Sequence, residues 1–461
     1  MKSIRFFLFA ALMGLFLLLC ACSASSAGSS QQPGTDPAAS GGTETDADPA
    51  PEKNDETAAQ TDGVPEYDPH DYLAIQRFLC IQDEKGVANG RKYNPSFDAN
   101  DPDTWKTDPT AFWVGWEVQE DGRLHLTELV LSFYQSFDHQ VTGELELSDC
   151  LFLKKAYLSY GLTGLRLDGC IALEEVSCDY CALGCLELRN CSALTVFCAN
   201  DCKVSTFRTV NCPSLEGLQI SNMSGADPEG QLQMLDLSGS PNLTTLCLLC
   251  AGVKTLDLSG LSCLSYMDIR CNELTEVDLS PCPVLNSLHI DGNPLETLDL
   301  SYCPALTVLM CDHCALTELD LSPCPGLKTL YCSGNPLSSL DLSHSSELGS
   351  LNLTQTKITE LDLSSCPKLY ALQLKDNPLQ RINLTGCREV GFNLLRAEGK
   401  GSVFLTFSKA ERTVTVTAAH GNGARFKGWY DAGGTLVSDR EEYTFLIFAH
   451  EELIAVFENI S

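Results

Sequence analysis

Cysteine is the residue type in this sequence with the widest chemical repertoire. The chain has 461 residues and 24 cysteines. Two thiols in a C-x-x-C spacing can hold zinc or cycle between dithiol and disulfide. Three such pairs occur, at Cys178/Cys181, Cys247/Cys250 and Cys311/Cys314. Four of these cysteines occupy core positions of a repeat described below, so we interpret them as buried structural thiols and predict no metal site and no cofactor.

The histidines do not suggest a catalytic site. The eight histidines are scattered, and none belongs to an H-E-x-x-H motif. The sequence also lacks G-x-S-x-G and a glycine loop that would cradle phosphate. His289 and Asp291 share one strand face, but a single pair does not define a catalytic site. We therefore predict that the protein is not an enzyme.

A repeat must position these residues. Short apolar triplets with a polar middle residue recur every 21 residues, or 20 between the first two, and a fixed period of this kind is typical of a solenoid. Alternation places the leucines inward and the middle residue outward. An extra seven residues fall in the loop 224–230, and the triplets predict twelve turns. Their middle residues are Glu146, Arg166, Glu187, Arg208, Asp236, Asp257, Asp278, Asp299, Asp320, Asp341, Asp362 and Asn383.

A second motif lies between the triplets. LNSLHIDGNPL (285–295) and LKTLYCSGNPL (327–337) match L-x-x-L-x-L-x-x-N-x-L, and this pattern resembles the leucine-rich repeat family over roughly residues 145–387. A 21-residue coil has no room for a helix, as in the short bacterial subtype that it resembles. We predict a mainly β fold, a leucine-rich repeat solenoid with two extended segments per coil.

Nine cysteines fall four residues after the middle residue of a triplet. In leucine-rich repeats the equivalent turn position faces inward, so the resemblance implies that these thiols are buried, and a buried free cysteine behaves as a small hydrophobe. Disulfides between adjacent coils remain an alternative in an oxidising environment. The nine are Cys150, Cys170, Cys191, Cys212, Cys282, Cys303, Cys324, Cys366 and Cys387.

The outward aspartates form a column, accompanied by serines two residues further on. Carboxylates about 4.8 Å apart repel by roughly 1 kcal/mol per pair in water. We expect hydrogen bonds from the serines and turn amides to moderate this repulsion. Calcium bridging along the column is the alternative.

The opposite face has more varied side chains. The resemblance implies that this concave strand face is the binding surface, with Tyr266, Met310 and Tyr331 as partly apolar anchors. The candidate ligand residues are Tyr266, Asp268, Arg270, His289, Asp291, Met310, Asp312, Tyr331, Asn352, Gln373 and Lys375.

The first residues resemble a bacterial lipoprotein signal peptide. Two basic residues precede a short apolar run, which ends in LCACS. Cys22 follows the small Ala21, so the resemblance implies cleavage after residue 21 and lipidation of Cys22. Residues 22–65 are rich in Gly, Ser, Pro and acidic residues, which predicts a disordered acidic tether.

Two segments flank the predicted solenoid, which we assign to residues 145–395. Residues 66–144 contain an amphipathic helix pattern and three tryptophans, and they resemble the N-terminal cap of many leucine-rich repeat proteins. Residues 401–461 alternate like a small β domain. Phe426-Lys427-Gly428-Trp429, Tyr443-Thr444-Phe445 and Ala455-Val456-Phe457 resemble a bacterial surface repeat related to internalin B-repeats, with Phe426 and Trp429 expected in its core.

The net charge of the chain limits the classes of molecule that it is expected to bind. The formal net charge of −31 repels nucleic acid and anionic lipid. We expect a monomeric, lipid-anchored protein on the extracellular face of a bacterial cell membrane that binds an extracellular protein or glycan. The alternative is a structural spacer or cell-envelope organiser without a dedicated ligand.

Overall fold

The computed structural model describes residues 65–107, 109–110, 112–132, 140–223, 231–374, 376–378 and 381–383, and the segments 395–398, 401–408, 413–420, 424–431, 433–446 and 453–459. The predicted signal peptide, the lipidation of Cys22, nearly all of the tether, Lys375 and Cys387 therefore lie outside the described residues.

The N-terminal cap begins with helix α1 (Pro69–Cys80), followed by α2 (Asn89–Tyr93) and a 3-10 turn (Pro102–Thr104). Asp68 starts α1 by accepting hydrogen bonds from the amides of residues 70 and 71, and proline at the first position suits this role. Ile75, Phe78 and Leu79 form its buried face.

An antiparallel hairpin connects the cap to the coils. It consists of β1 (Phe112–Val118) and β2 (Leu124–Leu131). Trp105 is fully buried in the same core, and its indole N–H donates to the carbonyl of Asp98 at 2.8 Å. The predicted helical, tryptophan-containing cap is confirmed.

The coils contribute eighteen strands. In chain order they are β3 (Glu144–Glu146), β4 (Lys155–Ser159), β5 (Gly164–Arg166), β6 (Glu175–Asp179), β7 (Gly184–Arg189), β8 (Val196–Asn200), β9 (Val204–Val210), β10 (Gly217–Ser221), β11 (Met234–Asp236), β12 (Thr245–Leu249), β13 (Tyr266–Asp268), β14 (Ser287–His289), β15 (Val308–Met310), β16 (Thr329–Tyr331), β17 (Ser350–Asn352), β18 (Glu360–Asp362), β19 (Ala371–Gln373) and β20 (Arg381–Asn383).

One long sheet runs through all the coils. After β1 and β2 its order is β4, β6, β8, β10, β12, β13, β14, β15, β16, β17 and β19, each parallel to the next. The twelve triplets enclose eleven strands of this sheet, so the solenoid has eleven full coils where the triplet count predicted twelve turns. Leucines of successive coils, such as Leu288, Leu309 and Leu330, stack fully buried between the two sides.

The side of the coils that carries the triplets, which we call the second side, is less regular than the long sheet. It forms short parallel groups, β3 with β5, β7 with β9 and β11, and β18 with β20. Across 256–342, where every residue is described, the triplets form no regular strand. They still alternate, since Leu258 and Leu279 are buried while Asp257 and Asp278 are exposed. The leucine-rich repeat solenoid and its mainly β class are confirmed.

The chain ends in small antiparallel sheets. Their strands are β21 (Leu395–Glu398), β22 (Gly401–Ser408), β23 (Thr413–His420), β24 (Ala424–Tyr430), β25 (Leu436–Ser438), β26 (Glu442–Leu446) and β27 (Leu453–Asn459). Strand β22 pairs with β20, so this module continues the second side of the solenoid. Trp429 is fully buried and packs edge-on to Phe426, as expected of core residues.

Among the described residues, none of the helices has the length and apolar character needed to cross a bilayer.

Candidate functional site

The candidate ligand residues lie on the solvent side of the long sheet, which we call the strand face. Parallel register places one residue of each strand beside its counterpart in the next coil. Asp268 thus neighbours His289, and Met310, Tyr331, Asn352 and Gln373 follow in the same row. The structure therefore brings six of the predicted residues into one line; Lys375 lies outside the described residues.

An ion pair occupies one end of this row. The Arg270 guanidinium donates to both carboxylate oxygens of Asp268, at 2.8 and 2.7 Å. Asp268 is only 3% exposed, and its hydrogen bond and charge raise the pKa of Arg270. The two charges largely neutralise each other, so the Asp268 carboxylate is not an open acceptor.

His289 and Asp291, in the next coil, are less completely satisfied. His289 Nε2 lies 3.1 Å from Ser287 Oγ, while Asp291 Oδ1 accepts from the amide of Asp312 at 3.1 Å. His289 Nδ1 and Asp291 Oδ2 are buried and have no hydrogen-bond partner within the described part of the chain. Burial lowers the pKa of His289 and raises that of Asp291.

Asp312 and Tyr266 complete a polar cluster around this pair. Burial raises the pKa of Asp312, whose Oδ1 accepts from the amide of Ser333. The Tyr266 ring lies 5.3 Å from the His289 ring. We call Tyr266, Asp268, Arg270, His289, Asp291 and Asp312 the polar cluster.

The remaining candidates extend the row away from the polar cluster. Tyr331 accepts a 3.4 Å hydrogen bond from Ser350, and Asn352 accepts from the amide of Thr354 at 3.0 Å. Met310 is half-buried and Gln373 is exposed. These side chains form a mixed surface without the buried carboxylates of the polar cluster, and their role in ligand binding stays a prediction.

A second feature, which the sequence did not lead us to predict, lies at the edge of the strand face. In ten of the eleven coils one residue adopts a positive φ just after the strand, and we call this series the turn column. Tyr160 and Tyr180 stack there with centroids 4.7 Å apart. The glycine of the G-N-P sequences was the available signal, because it marks a left-handed position. The column contains Tyr160, Tyr180, Asp201, Cys250, Cys271, Gly292, His313, Gly334, Gln355 and Asp376.

The turn cysteines form an inner ladder, as predicted. Eight of the nine lie in the described region, and all eight are fully buried as free thiols; their distances to backbone carbonyls include 3.0 Å from Cys170 Sγ to Leu147 O. Of the C-x-x-C cysteines, only Cys250 is partly exposed. Its position in the turn column, outside the core, explains the difference.

Asparagines stabilise the turn on the strand side. Asn335 donates to the carbonyls of Cys311 and Cys332 at 2.8 and 3.0 Å, and accepts from the amide of Leu316. It thereby joins two successive coils through one buried side chain. Asn272, Asn293 and Asn377 repeat the carbonyl contacts in their own coils.

The aspartate column is held by hydrogen bonds within each coil. In seven coils the carboxylate accepts from the amide of the serine two residues on, as in Asp299 and Ser301 at 2.9 Å. Hydrogen bonds from the serine lower the pKa of Asp299. The prediction that serines and turn amides moderate the repulsion is confirmed; calcium bridging stays an untested alternative.

Two groups of residues with metal-ligand chemistry lie at the cap and its junction with the first coil, although no metal site was predicted. They are His70, Asp71 and Cys150, and Asp68, Asp121 and His125. Asp71 is 2% exposed and accepts from the amide of Leu126 at 3.0 Å, and its carboxylate lies 3.3 Å from His125 Nδ1. The aspartates of both groups already accept hydrogen bonds from groups of the protein. We therefore interpret these contacts as a structural connection between the cap and the long sheet.

The coil register, the leucine core and the asparagine turns define a leucine-rich repeat solenoid with an open strand face. No protein-family model matches the sequence, and no curated protein matches it. Solved structures provide looser likenesses. The functional domain of InlJ from Listeria monocytogenes, which includes a cysteine ladder, is 19% identical, with 69% of this chain and 90% of that chain covered and a TM-score of 0.37.

Two further bacterial structures give similar values. A leucine-rich repeat protein of Leptospira interrogans is 16% identical over 50% of this chain and 81% of its own, with a TM-score of 0.32. YopM from Yersinia enterocolitica is 23% identical over 56% of this chain and 70% of its own, with a TM-score of 0.27. At this level of similarity no function is transferred to the present chain.

Proposed function

We propose that this protein is a non-enzymatic binding protein that takes a basic segment of an extracellular protein on its strand face. The proposal is carried by one observation, the buried carboxylate oxygen of Asp291 that has no partner within the described residues; His289 Nδ1, in the same coil, likewise has none there. Unsatisfied buried polar atoms cost free energy, and a ligand that supplies the missing partner recovers it.

Charge favours a cationic ligand. Asp291 and Asp312 are neighbouring half-buried carboxylates, and a lysine or arginine side chain would bond to both and reverse the rise in their pKa. The net charge of −31 would steer a basic partner toward the protein. Met310 and Tyr331 lie one and two coils further on and offer apolar contact for flanking residues.

The location is part of the same proposal. The N-terminal lipoprotein-like segment would anchor the chain through Cys22 to the outer face of the membrane, with 22–65 as a tether and the solenoid displayed as a monomer. The C-terminal module, with its B-repeat-like motifs, would serve as a spacer.

The test is an array of extracellular proteins and glycans probed with the full chain and two variants. Asp291→Asn removes the charge on the strand face. Asp299→Asn makes the same change in the same coil on the other side. We expect saturable binding of a protein with a basic segment, weakened about 10-fold or more by Asp291→Asn, since a charged hydrogen bond contributes about 1.5–3 kcal/mol, and unchanged by Asp299→Asn.

Two results would contradict the proposal. Saturable binding that is equally strong in both variants would place the ligand elsewhere. If a folded sample shows no saturable binding, the alternative of a structural spacer without a dedicated ligand is favoured. A glycan ligand that depends on Asp291 would keep the site but replace the basic protein segment.

A further inference from the structure

Two neighbouring cysteines differ from the inner ladder in their access to solvent. Cys250 is partly exposed and Cys271 is exposed, whereas the described ladder cysteines are buried. The two lie 21 residues apart in the sequence, in the same position of successive coils within the turn column. This spacing places one thiol beside the other in the folded chain.

Backbone pairing brings the two residues close together. The amide of Cys250 donates to the carbonyl of Arg270 at 3.1 Å, continuing the parallel register in which Cys247 faces Asp268. Neighbouring backbones in such a ladder lie about 4.8 Å apart, and disulfides span Cα separations of about 4.4–6.8 Å. Both residues have nearly the same φ, 52° and 56°, so their side chains leave the backbone in the same direction.

The Cys271 thiol affects the pKa of Cys250 in the reduced form. Burial, and then the neighbouring Cys271 thiol, raise the pKa of Cys250 to about 11. The turns that carry them are rigidly joined, because Asn272 accepts from the amides of Ala251 and Val253 and donates to the carbonyl of Leu248. A bond between the sulfurs therefore needs little backbone movement.

The next position of the turn column leaves Cys271 uncovered. It is occupied by Gly292, and a Cβ placed there would lie 3.6 Å from Cys271 Sγ. The glycine has a φ of +68°, which disfavours other residues. By contrast, Cys191 and Cys212 are stacked in the core and direct their thiols to the carbonyls of Leu167 and Leu188. Proximity is common among these cysteines, but proximity together with access is found at Cys250 and Cys271.

We propose that Cys250 and Cys271 form a thiol–disulfide exchange site that takes small disulfide compounds. The Cys271 thiolate attacks one sulfur of the compound, forming a mixed disulfide and releasing one thiolate. The Cys250 thiolate then attacks Cys271 Sγ, forming the Cys250–Cys271 bond and releasing the second thiolate. The two protons lost by the cysteines are taken up by the leaving groups, so the dithiol is oxidised and the compound is reduced to two thiols.

The Cys250–Cys271 disulfide would link two adjacent coils beside the polar cluster. Cys271 directly follows Arg270, which holds Asp268. The cross-link closes a short loop and so reduces the entropy of the unfolded chain. This inference does not depend on the ligand proposed above.

The experiment uses the full chain, reduced and then equilibrated with mixtures of reduced and oxidised glutathione. Remaining thiols are alkylated in acid, and peptides are mapped by mass spectrometry. We expect a single linked pair, Cys250 with Cys271, and a higher Tm. In Cys250→Ser we expect one glutathione on Cys271, no linked pair and no rise in Tm. Cys263→Ser removes another exposed cysteine and should behave like the unaltered chain.

The proposal fails if Cys250 and Cys271 stay reduced in the most oxidising mixture. It also fails if each carries glutathione without forming the internal bond, or if other cysteines become linked first.

Discussion

Buried asparagines show at the scale of single residues how one side chain joins two neighbouring coils. Asn335 has hydrogen-bond partners at Cys311, Leu316 and Cys332. In the preceding coil Cys314 occupies the same position, and its Sγ lies 3.5 Å from the carbonyl of Ile290. A thiol is a single, weak donor, whereas an amide supplies two donors and an acceptor. The position therefore tolerates cysteine, with fewer of the backbone groups satisfied.

Replacing Asn335 should distinguish the contribution of a side-chain amide from that of a thiol. We expect Asn335→Ala to lower the free energy of unfolding by about 3 kcal/mol, because buried carbonyls and an amide lose their partner. Asn335→Cys should lose less, since a thiol replaces one donor. Urea unfolding followed by circular dichroism measures both changes. The exposed Asn286→Ala is the control; it removes surface hydrogen bonds to Ala305 and Thr307 and should cost clearly less than Asn335→Ala. Equal losses for alanine and cysteine would contradict this account of the turn.

Among the elements, the N-terminal cap is connected to the sheet by charge as well as by apolar packing. His125 on β2 lies 3.0 Å from Asp121 and 3.3 Å from Asp71 on α1. Burial alone would lower the pKa of His125, but the hydrogen bond to Asp121 and the charges of Asp68 and Asp71 raise it overall. Protonated His125 therefore stabilises the contact between α1 and β2.

This histidine should make cap stability depend on pH. Because its folded pKa is raised, its contribution is complete below the unfolded value of about 6.5 and is lost as pH rises through the folded pKa. We expect the Tm difference between the chain and His125→Gln to be larger below about pH 6 than above pH 8. Tryptophan fluorescence reports the melting, since Trp105 lies in the cap core. A difference that stays constant with pH would show that His125 acts only through packing.

In the whole molecule, charge is distributed unevenly between the two sides of the solenoid. The aspartate column is exposed from Asp257 onward and follows the side opposite the strand face, where each carboxylate accepts a hydrogen bond within its own coil. Those hydrogen bonds lower the pKa of six column members, Asp236, Asp257, Asp278, Asp299, Asp320 and Asp341. On the strand face burial raises the pKa of Asp291 and Asp312. The two sides thus respond to acid in opposite directions.

The column should make the solenoid sensitive to acid. A lowered folded pKa gives stability that is present above the unfolded value of about 3.9 and is lost as pH falls through the folded value. Replacing Asp278, Asp299 and Asp320 together by Asn keeps an acceptor oxygen but removes the titration. We expect a shallower loss of stability below about pH 4, measured by urea unfolding at successive pH values.

The matched control for this triple variant replaces Glu276, Glu318 and Glu360 by Gln. These glutamates are exposed and precede the column residues by two positions. The control should leave the acid-induced loss closer to that of the unaltered chain. An equal effect of both variants would mean that general repulsion, rather than the serine hydrogen bonds, governs the acid response.

The solenoid, its 21-residue register, the buried cysteine ladder and the aspartate column could all be predicted from the sequence. Because the period is fixed, the inward and outward residues of each coil lie beside their counterparts in the next coil. The residues of one coil therefore predict the positions of those in its neighbours. The tertiary structure was needed to show which polar atoms of His289 and Asp291 lack a partner among the described residues, and that the neighbouring Cys250 and Cys271 are accessible to solvent. Those properties depend on how side chains of different coils cover one another. That covering varies from coil to coil, and the repeat pattern does not encode it.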